Sequence, residues 1–126
     1  MRKLSMAELG RKSVEEFKGS DKFPIIVVLE NIRSAYNVGS VFRTADAFLI
    51  EAIYIIGYSA KPPHKEIKKT ALGAEETVLW KHFKTTKEAL KELRAEKYKV
   101  YAVEQAENSY KLHRASFKQN ERIAVV

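Results

Sequence analysis

Pro24-Ile25-Ile26-Val27-Val28-Leu29, then the polar stretch Glu30 to Asn37, then Val38-Gly39-Ser40-Val41-Phe42-Arg43-Thr44-Ala45, together decide how this chain folds. The first run is apolar, rich in β-branched residues and free of alternation. That is the pattern of a strand buried on both faces, as in a parallel sheet covered by helices. Beyond the polar stretch, Val38, Val41, Phe42, Ala45, Phe48 and Leu49 fall on one face of a helix. A second strand, Ala52-Ile53-Tyr54-Ile55-Ile56, closes on Gly57. Strand, crossover helix and strand in this order predict a parallel α/β unit with a right-handed connection.

The flanking sequence extends the same alternation. Residues 5–18 read as one helix or two short ones, because Ser5 with Glu8 and Ser13 with Glu16 have capping-box spacing. Tyr58 to Gly73 reads as a long loop carrying Pro62-Pro63 and the lysines Lys61, Lys65, Lys68 and Lys69. Val78-Leu79-Trp80 suggests a short third strand. Thr85 with Glu88 opens a helix running to Lys97, and Tyr98 to Val103 is a strand. Glu104 to Asn120 reads as loop with one helical turn, and Arg122 to Val126 begins a last strand. An α/β unit normally runs from such a strand into a functional loop, so the domain is expected to continue past Val126; a paired terminal strand is the alternative. The predicted class is α/β, a parallel sheet flanked by helices, with a helical lead-in over 1–22 and the main domain over 23–126.

The chain has 126 residues, 45% of them hydrophobic, enough for one apolar core. Ile25 to Leu29 is too short to span a bilayer, and no signal-peptide core follows Met1, so a cytoplasmic protein without a membrane partner is expected. The absence of cysteine excludes disulfides, thiolate metal sites and a cysteine nucleophile. Lys and Arg outnumber Asp and Glu by 23 to 16, a net charge of +7. Such a surplus favours polyanions, although it also serves simply to solubilise a surface.

Chemistry concentrates between Asn31 and Arg43, at the C-terminal end of the first strand, where α/β sheets place ligands. Asn37 is suited to cap the following helix, and the free N–H groups there, with Gly39 allowing close approach, form a potential anion site. Arg43, read as lying in the first turns, opposes the helix macrodipole and shares a side with Gly39 and Ser40. It is either a phosphate clamp or a solvated arginine paired with Asp46. His64, His82 and His113 lack metal-ligand spacing, and Glu75-Glu76 point apart. Lys87, Lys91 and Lys97 read as a solvated helix face, whereas the segment from Lys61 to Lys69 is the better polyanion contact. Trp80, Phe83 and Tyr54 read as core or interface aromatics, with base stacking as the alternative.

The pattern Asn-x-Gly-x-x-x-Arg-x-Ala at Asn37, Gly39, Arg43 and Ala45 resembles the first motif of the SpoU (TrmH) family of RNA methyltransferases, in the SPOUT superfamily. Similar too are Pro62-Pro63, Lys69-Thr70-Ala71-Leu72-Gly73-Ala74-Glu75, and Val103-Glu104-Gln105-Ala106 with Ser109. Arg2-Lys3-Leu4-Ser5, Glu8-Leu9 and Phe17 resemble the lead-in of one bacterial branch. The resemblance implies methyl transfer from S-adenosylmethionine to a ribose 2′-hydroxyl of tRNA or rRNA, by a homodimer without metal. It implies that Arg43 is catalytic, that Asn37 holds the catalytic loop and contacts the substrate, and that Asn31 and Arg33 contact RNA; Gly39 and Ser40 at the helix start, and Lys61 and Lys69 on the lysine-bearing segment, are further RNA-contact candidates. Glu104, Gln105 and Ala106 would form one wall of the cofactor pocket. The family's Gly-Asn-Glu-x-x-Gly and Ser-Leu-Asn-rich segments, which complete the pocket and a trefoil knot, are not in this sequence. The 126 residues alone are therefore expected to be inactive. Two other readings are a non-catalytic RNA-binding module and a small α/β enzyme holding a nucleotide at the Asn37–Gly39 helix start.

Overall fold

A computed structural model describes residues 1–5 and 14–126. Five parallel strands form one sheet in the order β3-β2-β1-β5-β4. They are β1 (Phe23–Glu30), β2 (Ile50–Ile56), β3 (Leu79–Phe83), β4 (Lys99–Tyr101) and β5 (Ile123–Val125). The stretch at the C-terminus is thus an interior strand, hydrogen-bonded to β1 on one side and β4 on the other.

Why β1 and β2 lack alternation is now visible. Leu29, Ile53 and Ile55 point into a core formed with α2 (Ala35–Ala47), α3 (Lys65–Ala71) and α4 (Ala74–Thr77). Their neighbours Ile26, Val28, Tyr54 and Ile56 point the other way, against Ala89 and Leu93 of α5 (Thr86–Ala95). Burial of each such side chain contributes about 1.5–3 kcal/mol. Phe17, in α1 (Val14–Gly19), is buried in the first of these cores and so ties the lead-in to the sheet. Glu8 and Ser13 of the expected capping boxes lie outside the described residues.

Several boundaries differ from expectation. The stretch from Tyr58 to Gly73 is not all loop, because α3 occupies Lys65–Ala71. His64 caps it, its Nδ1 accepting from the Glu66 N–H at 3.1 Å. Only Ile67 and Ala71 of this short helix are buried, too few apolar positions to show a period. Leu72 and Gly73, at φ 52° and 93°, break α3 from α4. Strand β3 runs on to Phe83, and β4 is only three residues long. Thr85 caps α5 as expected, accepting from Glu88 N at 3.3 Å, but the helix ends at Ala95.

Candidate functional site

The C-terminal ends of β1 and β2 lie side by side, with Glu30 opposite Ile56. Asn31 turns the chain there at φ 48°. Its N–H donates to the Ile56 carbonyl at 3.2 Å, and its Oδ1 accepts from Tyr58 N, also at 3.2 Å. A Cβ on Gly57 would collide with that Asn31 Oδ1, and Gly57 itself sits at φ 68°, so position 57 requires glycine on both counts. One residue on, Ile32 N–H donates to Ser59 Oγ at 2.6 Å, and Ser59 donates in turn to the Leu29 carbonyl at 3.4 Å. Ser59 is buried. The loop after β1 is thereby fixed to the segment after β2. Ser59 carries no distinguishing signal in the sequence, since its partners are backbone groups some 27 and 30 positions away.

The helix after this loop begins earlier than its sequence suggests. Ser34 is the cap of α2, its hydroxyl accepting from Asn37 N at 3.2 Å. Asn37 therefore lies inside the first turn with its side chain exposed, and it does not cap the helix. The earlier start puts Arg43 ninth of thirteen residues, too far along for the N-terminal dipole to oppose it. Tyr36, Ser40 and Arg43 follow one another at i, i+4 and i+7 on an exposed stripe. Among the described residues Arg43 makes no ion pair or hydrogen bond. Asp46, its candidate partner, instead accepts from Thr77 Oγ1 at 3.1 Å.

Gly39 requires a correction. It is buried, and a Cβ there would run into Thr70 Oγ1 and the Ile67 carbonyl of α3. It allows two helices to approach, so it is not open to a ligand. The Thr70 hydroxyl donates to the Tyr36 carbonyl at 2.8 Å, which Ser40 Oγ also reaches at 3.0 Å. The two motif stretches, around Asn37 and around Thr70, are thus packed on each other.

Lys69 is exposed on α3, 3.5 Å from Glu66. The Glu66 carboxylate, and then the Tyr36 hydroxyl, raise its pKa above the usual lysine value, so it stays cationic. Arg33 and Lys61 are exposed on the β1–α2 and β2–α3 connections. These residues gather around the ends of β1 and β2, whereas Glu104, Gln105 and Ala106 follow β4, two strand positions away, or about 10 Å. All three are exposed, with Glu104 Oε1 accepting from Gln105 N at 3.0 Å. Beside them a cleft of about 1080 Å³ runs over Ile25, Ile123, Val125 and Tyr101, under the segment around Leu112 and Phe117. Among the described residues no three His, Asp or Glu side chains gather as metal ligands, and no helix is long and apolar enough to cross a membrane.

A parallel sheet whose first strand-end loop is fixed by Asn31 and Ser59, and leads into a helix with an exposed arginine, defines a parallel α/β domain with a basic candidate site. Residues 24–126 match the sequence model of the SpoU rRNA Methylase family, and the chain belongs to that family. It is 27% identical over 71 residues to the 23S rRNA (guanosine-2'-O-)-methyltransferase RlmB of Vibrio parahaemolyticus, covering 56% of this chain and 29% of that protein. The fold resembles an AdoMet-bound rRNA methyltransferase from Sinorhizobium meliloti, with a TM-score of 0.73 and 22% identity over 83% of this chain and 40% of that one. The TrmH/SpoU tRNA modifying enzyme of A. aeolicus also gives 0.73, at 17% identity, covering 90% of this chain and 56% of that one. The chain spans less than a third of the length of the curated relatives it matches.

Proposed function

We propose that this chain forms the RNA side of an S-adenosylmethionine-dependent ribose 2′-O-methyltransferase acting on rRNA or tRNA as a homodimer. The observation that carries the reading is Arg43: exposed, and unpaired among the described residues, on the helix that follows a tightly held strand-end loop, in a SpoU-family chain. Bound S-adenosylmethionine would supply the methyl group to the ribose 2′-oxygen, whose proton would pass to solvent or a base. Negative charge builds on the 2′-oxygen, and a fixed cation lowers the cost of that charge. A guanidinium is a permanent cation, so the role of Arg43 is electrostatic: it grips the phosphate next to the target ribose and stabilises the developing alkoxide. Asn31 leaves its Nδ2 available toward the ribose while its Oδ1 is held by Tyr58 N. Arg33, Asn37, Ser40, Lys61 and Lys69 supply further donors to the RNA backbone.

Glu104, Gln105 and Ala106 suit the donor side. Backbone groups and a carboxylate at a strand end are what a ribose diol and an adenine edge call for. When bound, the cofactor supplies an electrophilic methyl group. The test is transfer of labelled methyl to rRNA and tRNA transcripts by a protein form containing this chain, with product nucleosides separated after digestion. A 2′-O-methylated nucleoside is expected. RNA binding without transfer by a form that binds the donor would overturn the reading in favour of a non-catalytic module.

A further inference from the structure

A second concave surface lies on the other side of α3 from Gly39. Its walls are Pro63 and His64, the helix face bearing Lys65 and Lys68, the carboxylates of α4, and the indole of Trp80 on β3; it encloses about 490 Å³. Residues i and i+3 on a helix are neighbours, so the two ammonium groups stand together. Both are exposed, and among the described residues neither is paired, despite Glu75 and Glu76 nearby. Glu75 gives one oxygen to Gly73 N at 3.1 Å, while Glu76 is exposed.

Each group matches a part of a nucleotide. Trp80 packs against the first core yet also lines the cleft, and an indole is a ring on which any base can stack. A carboxylate accepts from the amino or imino groups on a base edge, and two free ammonium groups suit a phosphate. We propose that this cleft holds one unpaired nucleotide of the RNA substrate, its base stacked on Trp80, its edge toward Glu76 and its phosphate on Lys65 and Lys68. The proposal rests on the RNA-methyltransferase reading. It adds that the substrate presents an extruded or single-stranded base near the target ribose, with α3 lying between the two contacts.

Trp80 is the one tryptophan in the chain, so its fluorescence reports on the cleft directly. The experiment titrates the chain with a short single-stranded oligoribonucleotide, a fully paired duplex RNA, and the same single strand carrying an abasic site. RNA binding is followed in parallel by anisotropy of a labelled strand. The single strand is expected to quench Trp80 emission, with the abasic strand and the duplex quenching far less. Lys65→Glu with Lys68→Glu, at exposed positions that leave the core untouched, should weaken single-strand binding about tenfold, the size of one lost stacked nucleotide. Anisotropy that reports binding without quench, and with the double lysine variant unimpaired, overturns the cleft while leaving the RNA reading intact. No binding of any RNA overturns both.

Discussion

Gly39 of α2 and Thr70 of α3 touch so closely that position 39 has no room for a Cβ, and the same Thr70 hydroxyl bonds the Tyr36 carbonyl at 2.8 Å. The contact holds the Arg43 helix against the lysine-bearing helix. Gly39→Ala is therefore expected to destabilise the fold by about 1–3 kcal/mol, the usual cost of overpacking. Thr70→Ala should not rescue it, because the Ile67 carbonyl also stands in the way. Urea denaturation of the two single variants and the double variant checks this. Recovery of stability in the double variant would show that only the hydroxyl sets the spacing.

Arg43 calls for the opposite result. Its side chain is exposed and makes no contact that stabilises the fold among the described residues. Arg43→Ala should change stability by less than about 0.5 kcal/mol, as for other free surface positions. In a methyl-transfer-competent form, the same variant should lose about a hundredfold or more in kcat, with donor affinity nearly unchanged. Lysine at this position should recover little, since a point charge lacks the planar fork that grips a phosphate. A normal rate in Arg43→Ala would remove it from the catalytic role.

The contrast between these two residues shows what the sequence could say. Unbroken apolar runs at Ile25–Leu29 and Ala52–Ile56 announced a doubly covered parallel sheet, because burial on both faces leaves a direct trace in composition. The motif around Asn37 and Arg43 pointed to the candidate site. The meaning of its glycine was hidden, because a helix–helix approach depends on what packs from α3, thirty positions away. Ser34 and Asn37 are both good caps, and only the backbone, extended at Ser34, distinguishes them. Helix α3 left almost no trace, being seven residues long with two buried.

Alkaline pH should loosen the α5 side of the sheet. Burial, and then the Glu92 carboxylate, push the Tyr54 hydroxyl well above the ordinary tyrosine value. Burial, and then the hydrogen bond to Glu51 at 2.6 Å, do the same to Tyr98. A group whose pKa is higher folded than unfolded contributes stability that is complete below its unfolded value and lost as pH rises toward the folded one. Stability should therefore fall once pH passes about 10, where unfolded tyrosines begin to ionise. Tyr54→Phe should give a shallower decline between pH 9 and pH 11 than the parent protein. Urea midpoints across that range decide it, and parallel slopes would remove Tyr54 from the account.

Ser59 joins stability to the proposed chemistry. Its buried hydroxyl accepts from Ile32 N and donates to Leu29 O, so Ser59→Ala leaves two backbone groups without their partner at the root of the Asn31–Arg33 loop. Leaving such groups unsatisfied costs about 1–3 kcal/mol, and the melting temperature should drop by several degrees. Asn31 keeps its own bonds to Ile56 and Tyr58, so the loop should shift while the sheet stays intact. In a methyl-transfer-competent form, a displaced Asn31 and Arg33 should raise the KM for RNA several-fold, with donor binding, proposed at the segment after β4, unaffected. A melting temperature and a KM both equal to those of the parent would mean that the Asn31 bonds and the Gly57 turn hold the loop unaided.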